Sequence, residues 1–167
     1  MIARMIRVDQ AGEYGAVRIY AGQRAVMGDR HPCAVEIQRM ADQEAAHKAA
    51  FDAMIPARRV RPTLLQPLWH VAGYALGAAT ALIGPKAAMA CTVAVETEID
   101  RHYAAQLAQL ADEEPALRET IAQFQAEELE HKATALDLGA EQAVAYPLLS
   151  GMIRAGCRLA IRLSERL

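Results

Sequence analysis

The sequence predicts an all-α fold, and three observations carry that prediction. It is rich in Ala, Leu, Glu, Gln and Arg, which favour helix, and poor in the Thr, Tyr and Phe that mark sheets. Apolar residues recur at alternating steps of four and three, as along Cys33, Ile37, Met40, Glu44, His47, Phe51 and Met54, the inner seam of a packed helix. Breakers fall at helix-length intervals: Gly28 with Pro32, Pro56 with Pro62, then Pro85 and Pro115. The 167 residues, 53% of them in the broad hydrophobic class and 23% charged, suffice for a single domain over 1–167 with a substantial core. A net charge of −2 lacks the basic excess of a nucleic-acid binder, and no nucleic-acid partner is expected. Cys33, Cys91 and Cys157 are odd in number and widely spaced, which argues against a disulfide framework, a zinc knuckle or an iron–sulfur cluster and for a reducing compartment.

The first helix is expected from about Ile2 to Met27, with Ile6, Gln10, Glu13, Val17, Tyr20, Arg24 and Met27 on one face and Gly28 ending it. Met1–Gln10 carries neither the apolar core of a secretory signal nor the Ser- and Arg-rich run of a transit peptide. The chain is therefore expected to work where it is made, or to be a mature or trimmed form. The second helix holds the seam above and is closed by Pro56 and a basic linker with Arg58, Arg59 and Arg61. From Thr63 to Pro85 there is no charged residue, a length that would span a bilayer. Spanning would put Glu44 and His47 on one side of the membrane and Glu128 and His131 on the other. A helix buried in the protein or lying in the membrane interface fits better, and Trp69, Tyr74 and the linker arginines favour the interface.

The fourth helix begins near Pro85 and turns Met89, Val93, Glu96, Tyr103, Leu107 and Leu110 inward. The fifth begins near Pro115 and repeats the seam as Leu117, Ile121, Phe124, Glu128, His131, Ala135 and Leu138. The sixth, from about Glu141, pairs an apolar face (Leu149, Met152, Ile153, Gly156, Leu159, Leu163) with Arg154, Arg158, Arg162 and Arg166 at strict i, i+4 spacing. That stripe is either a solvated face or a contact to anionic lipid.

Two seams with Glu-x-x-His at their centres demand compensation, because a carboxylate buried without a partner costs several kcal/mol or becomes neutral. Residues at i and i+3 share a helix face, so each Glu-x-x-His offers an oxygen and a nitrogen to one point. Glu13 precedes Glu44 by 31 residues and Glu96 precedes Glu128 by 32, and each leading Glu has a Tyr seven residues on, Tyr20 and Tyr103. Two helix pairs would then each donate one Glu and one Glu-x-x-His, the donor set of dinuclear carboxylate sites in helical bundles. Four carboxylates and two neutral imidazoles balance two divalent cations, and thiolate-free, oxygen-rich ligands suit iron or manganese over zinc. The predicted set is Glu13, Glu44, His47, Glu96, Glu128 and His131, with Glu98, Glu127 and Glu130 as close competitors. Asp9, Asp42, Asp100 and Asp137 are candidates for orienting the ligand histidines. His31 and His70 are read as surface or interface residues.

Several runs carry a resemblance: RVDQAGEYGAVRIYAGQ at 7–23, DQEAAH at 42–47, RVRPTLLQPLW at 59–69, AAMACTVAVE at 87–96, EELEH at 127–131 and AGCRLAIRLSERL at 155–167. Together they resemble the demethoxyubiquinone hydroxylases of ubiquinone biosynthesis over nearly the whole chain. Some members carry His where this chain has Gln10. The resemblance implies a ferritin-like four-helix bundle with two additional helices, one of them apolar and membrane-interfacial. It implies two iron ions on the same six residues, with Glu96 rather than Glu98, and O2 as co-substrate for hydroxylating the ring of a polyprenylated demethoxybenzoquinol. It points to His102, Tyr103 and Arg4 near the site. An external reductant such as NADH is expected, since the sequence has no Gly-rich nucleotide fingerprint of its own. The expected partners are the quinol, a membrane surface, other ubiquinone-biosynthesis proteins and a second copy of the chain. The expected place is the cytoplasmic face of a bacterial inner membrane or the matrix side of a mitochondrial one. The competing readings are a ferritin-like iron store without organic substrate and a metal-free helical scaffold.

Overall fold

The computed structural model describes residues 1–167 and is all-α. Its helices are α1 (Ile2–Met27), α2 (Ala34–Ala57), α3 (Gln66–Ile83), α4 (Pro85–Leu110), α5 (Pro115–Asp137) and α6 (Tyr146–Ser164), with a short 3₁₀ turn at Ala140–Gln142. Gly28, at φ 69°, ends α1 where the left-handed conformation suits a residue without Cβ. Proline in the first turn opens α3, α4, α5 and α6, a position where its missing N–H has no helical partner to lose.

Helices α1 and α2 form one hairpin, α4 and α5 another, and the pair encloses two apolar layers. One layer contains Tyr20, Met40, Met89, Val93 and Ala135; the other contains Ile6, Phe51, Tyr103, Leu117, Ile121 and Phe124. Between them, on all four helices, lies a polar slice. Chain order through the layers makes α1 parallel to α5 and α2 parallel to α4. The chain leaves α2 in the second layer and enters α4 in the first, so it must travel back along the bundle, and α3 makes that return.

Helix α3 lies on α1 at a separation that only glycines allow. A Cβ on Gly77 would run into the Ile19 carbonyl, one on Gly22 into that of Tyr74, and one on Gly73 would sit 2.9 Å from that of Gly15. The outer side of α3 presents Leu68, Val71, Leu82 and Ile83 to solvent. No helix is long and apolar enough to cross a membrane.

Four expectations need correction. Helix α6 begins at Tyr146 rather than near Glu141, because Gly139 and Ala145 both adopt positive φ and Pro147 fixes the new start. Pro56 lies within the last turn of α2 instead of closing it. Arg24, placed on one face with the buried Glu13 and Tyr20, is exposed instead and pairs with Asp29 at 3.7 Å. The arginine stripe on α6 is not simply solvated: Arg154 and Arg158, themselves about one third to one half exposed, reach the buried Glu98 of α4, while Arg162 and Arg166 have no ion-pair partner.

The glycine contact makes a sharp prediction. Gly77→Ala should lower stability by about 1–3 kcal/mol, the usual cost of forcing a group into a packed interface. The measurement is thermal unfolding of the purified protein; an unchanged midpoint would contradict the close α1–α3 approach.

Candidate metal centre

The polar slice gathers the six predicted residues at one place. Glu13 on α1, Glu44 and His47 on α2, Glu96 on α4, and Glu128 and His131 on α5 are all at most 3% exposed. Donor atoms of Glu13, Glu44, His47 and Glu128 lie within 4.8 Å of one another, as do those of Glu44, Glu96, Glu128 and His131. Glu44 and Glu128 belong to both groups, so the geometry provides two neighbouring positions with two shared carboxylates. His47 Nδ1 lies 3.0 Å from Glu128 Oε1 and 3.6 Å from Glu13 Oε2; His131 Nδ1 lies 3.0 Å from Glu128 Oε2 and 3.2 Å from Glu44 Oε1. Tyr103 donates to Glu13, and the Tyr20 hydroxyl reaches Glu96 Oε1 at 3.5 Å. The matched tyrosines thus each serve the leading Glu of the other hairpin.

The competitors fall elsewhere. Glu98 points to the opposite side of α4 and is bound by arginines. Glu130 is exposed. Glu127 does reach the site, though not as a member of either donor group: its Oε2 lies 2.6 Å from His47 Nε2. On the other half Gln43 Oε1 lies 3.0 Å from His131 Nε2. None of the four aspartates orients these histidines. Asp9 faces His102 and Gln106, Asp42 accepts from Gln38, Asp100 accepts from Gln125, and Asp137 has no side-chain hydrogen bond. Gln43 and Glu127 were missed in this role although the sequence carries a signal, since each immediately precedes the Glu of a Glu-x-x-His. Each reaches across to the histidine of the opposite hairpin. Gln10, where some members of the resembled family carry His, donates to Asp52.

The electrostatics of the slice call for cations. Burial, then repulsion from Glu128 and the other carboxylates, pushes Glu44 and Glu96 well above the usual carboxylate range. Burial also raises Glu13. Burial lowers His47, but hydrogen bonds to Glu128 and Glu13 overcome it and raise the group to about 10. Glu128 moves the other way, to about 2, because hydrogen bonds from His131 and His47 outweigh its burial. Both oxygens of Glu44 are buried without any hydrogen-bond partner. An orphaned carboxylate aimed between two imidazoles, with three others around it, is the donor set that two divalent cations satisfy.

His102 and Tyr103 are neighbours that face opposite ways. Tyr103 turns to the slice, whereas His102 lies 3.2 Å from the buried Asp9 and helps line a small niche with Arg4, Gln106 and Gln109. Next to this niche, with Val8 lining both, an apolar cavity of about 540 Å³ opens between α1, α3, α4 and α6. Gly12, Val95, Trp69, Leu76, Ile153 and Met152 are among its walls. Gly12 and Val95 are the chain neighbours of Glu13 and Glu96.

The family model described as "Ubiquinone biosynthesis protein COQ7" matches residues 1–164. The chain belongs to the COQ7 family. Its COQ7-family relatives include a 3-demethoxyubiquinol 3-hydroxylase of Rhodospirillum rubrum, 57% identical over 99% of this chain and 78% of the relative. The mitochondrial NADPH-dependent 3-demethoxyubiquinone 3-hydroxylase of Mus musculus is 56% identical over 99% of this chain and 77% of the relative. The mitochondrial 5-demethoxyubiquinone hydroxylase of Saccharomyces cerevisiae is 45% identical over 98% and 77% respectively.

Two predictions test the centre without reference to turnover. Glu44→Ala should reduce bound iron below one per chain by elemental analysis while helical circular dichroism persists. Because the mutation removes a buried carboxylate that accepts no hydrogen bond and is crowded by others, the metal-free variant should melt no lower than metal-free wild type. A metal-free variant that unfolds instead would make Glu44 structural. The pH dependence has a definite sign. Glu13, Glu44, Glu96 and His47 are held above their ordinary values and keep protons that metal must displace, so metal binding releases protons and strengthens as pH rises. Anaerobic Fe(II) affinity by chelator competition should therefore fall as pH is lowered from about 8 to about 5.5; a flat profile would contradict the assignment.

Proposed function

We propose that this chain is a hydroxylase of ubiquinone biosynthesis that inserts one oxygen atom of O2 into the ring of a polyprenylated demethoxybenzoquinol. In this reading two iron ions are held by Glu13, Glu44, His47, Glu96, Glu128 and His131. The observation that carries it is the juxtaposition of two features: a dinuclear donor set in the bundle interior and, behind α1 and α4, an apolar cavity fit for an isoprenoid chain. The names of the relatives supply the substrate class, and the geometry is consistent with it.

Iron supplies the reduction of O2 and the oxygen transfer. The chain's own residues do the rest. Glu44 and Glu128, which belong to both donor groups, would contribute to both ion positions, while Glu13 with His47 and Glu96 with His131 would each serve one of them. Tyr103 and Tyr20 hold the two terminal carboxylates, and burial raises both phenols well above their usual range, so they remain hydrogen-bond donors. Glu127 and Gln43 fix the imidazole orientations through the outer nitrogens. The two apolar layers keep bulk water from the slice.

Electrons come from an external reductant such as NADH, and the relatives named NADPH-dependent support a nicotinamide donor. The niche around Arg4 and His102, with Tyr103 next in the chain and bonded to Glu13, is the place we assign to that exchange. The exposed Leu68, Val71, Leu82 and Ile83 of α3 and Leu148, Met152 and Leu159 of α6 suit a membrane surface, from which the quinol tail would enter. That surface is the cytoplasmic face of a bacterial inner membrane or the matrix face of a mitochondrial one. An iron store acting without organic substrate has no use for the cavity.

The test is anaerobic reduction of the iron-loaded protein followed by ¹⁸O2, with and without a short-tailed demethoxyquinol. The expected result is a hydroxylated ring carrying one labelled oxygen. Iron oxidation that proceeds equally in both samples, with no change to the ring, would return the protein to the storage class.

A further inference from the structure

Glu98 is a buried carboxylate that the hydroxylation chemistry does not use. It is 3% exposed, and its Oε1 accepts from Arg154 Nε at 2.6 Å, Arg158 Nη1 at 2.9 Å and Arg101 Nη1 at 3.2 Å. Two of these arginines come from α6, one helical turn apart, and they account for half of the arginine stripe on that helix.

Helix α6 needs such a fastening. Over 19 residues only Ile153 and Ser164 are buried, while Met152 and Leu159 line the apolar cavity and are still 67% and 58% exposed. Its C-terminal end is tied by the Trp69 indole donating to Ser164 at 3.0 Å and, just beyond the helix, by one main-chain bond from Leu64 N–H to the Leu167 carbonyl at 3.2 Å. Along its middle, apolar contact alone would leave it free to slide or lift, since such contact is non-directional. Charge-assisted hydrogen bonds from two guanidinium groups to one carboxylate oxygen fix both height and register. They do so at one particular seam. Arg154 and Arg158 directly follow Ile153 and Cys157, which line the cavity, and Glu98 directly precedes Ile99, which lines it from α4.

We infer that Glu98 is a positioning residue: by clasping Arg154 and Arg158 it holds α6 as the outer wall of the cavity and so sets the fit of the isoprenoid tail. This rests on the hydroxylase reading. The clasp bears on how a long tail is held and leaves the ring chemistry alone, so its signature is a dependence on tail length.

The experiment compares demethoxyquinols bearing one isoprene unit and several, using iron-loaded wild type, Glu98→Gln and the double variant Arg154→Ala with Arg158→Ala. Both variants should raise KM for the long-tailed quinol about tenfold, less than the full cost of truncating a buried charge pair because the C-terminal end of α6 stays tied. In both, kcat, iron content and KM for the short-tailed quinol should stay at wild-type values, and amide exchange should quicken in α6 but not in α5. Combining all three substitutions should add little to either alone, as for partners in one network. Arg158→Lys, which keeps a cation there, should lie between wild type and the double variant. Equal KM changes for both tails, or α6 exchange that matches wild type, would overturn the assignment. Should the Gln variant fail to fold, the arginine variants, altered at half-exposed side chains, read the same contrast. Wild-type protein that turns over neither quinol would instead refute the hydroxylase reading.

Discussion

Four carboxylates share one low-dielectric slice of this bundle, and the rest of the structure is arranged around making that tolerable. Two like charges about 4 Å apart repel by about 4 kcal/mol even at an effective dielectric of 20. Several such pairs together match the whole stability of a domain, about 5–15 kcal/mol. The slice must therefore hold either protons or cations. Glu44, with neither oxygen hydrogen-bonded, shows that protein groups alone do not satisfy it. Apolar layers above and below set the dielectric that makes repulsion severe, and the same layers would strengthen attraction to a pair of metal ions. Stability and any cation binding would thus be tied to the same residues.

Much of this was legible in the chain because the seam is regular. A Glu and a His at positions where every neighbour in the register is apolar can only point inward, and all six predicted residues do. The spacing of leading Glu and trailing Tyr also held, for a reason the spacing did not reveal: the tyrosines cross to the opposite hairpin. The choice of Glu96 over Glu98 rested on the matched tyrosine alone among the sequence signals, since both residues are buried; the arginines on Glu98, two of them from a distant helix, show where that side chain goes instead. The same long-range contact explains why the α6 stripe was misread. Regular i, i+4 charges look like a solvated face until the partner, 56 residues earlier for Arg154, is known. The histidine partners were missed because aspartate was sought by residue type, whereas a polar residue next to the Glu of each Glu-x-x-His was the relevant signal.

The two Glu-x-x-His halves are alike in register but not in surroundings. His47 faces a carboxylate, Glu127, through its outer nitrogen, whereas His131 faces the amide oxygen of Gln43, which also accepts from Arg39 at 2.8 Å. An anion behind one imidazole and a polarised amide behind the other give the two ends of the site different donor strength. The quasi-twofold arrangement is therefore geometric rather than electronic.

Helices α3 and α6 contribute no residue to the slice. One exists because parallel α2 and α4 require a return path, and glycines let that path lie flush on α1; the other is an appendage pinned by Glu98. Between them they build most of the cavity's outer wall. Substitutions in these two segments can therefore reshape that wall while every residue of the carboxylate slice, all of them on the other four helices, stays where it is.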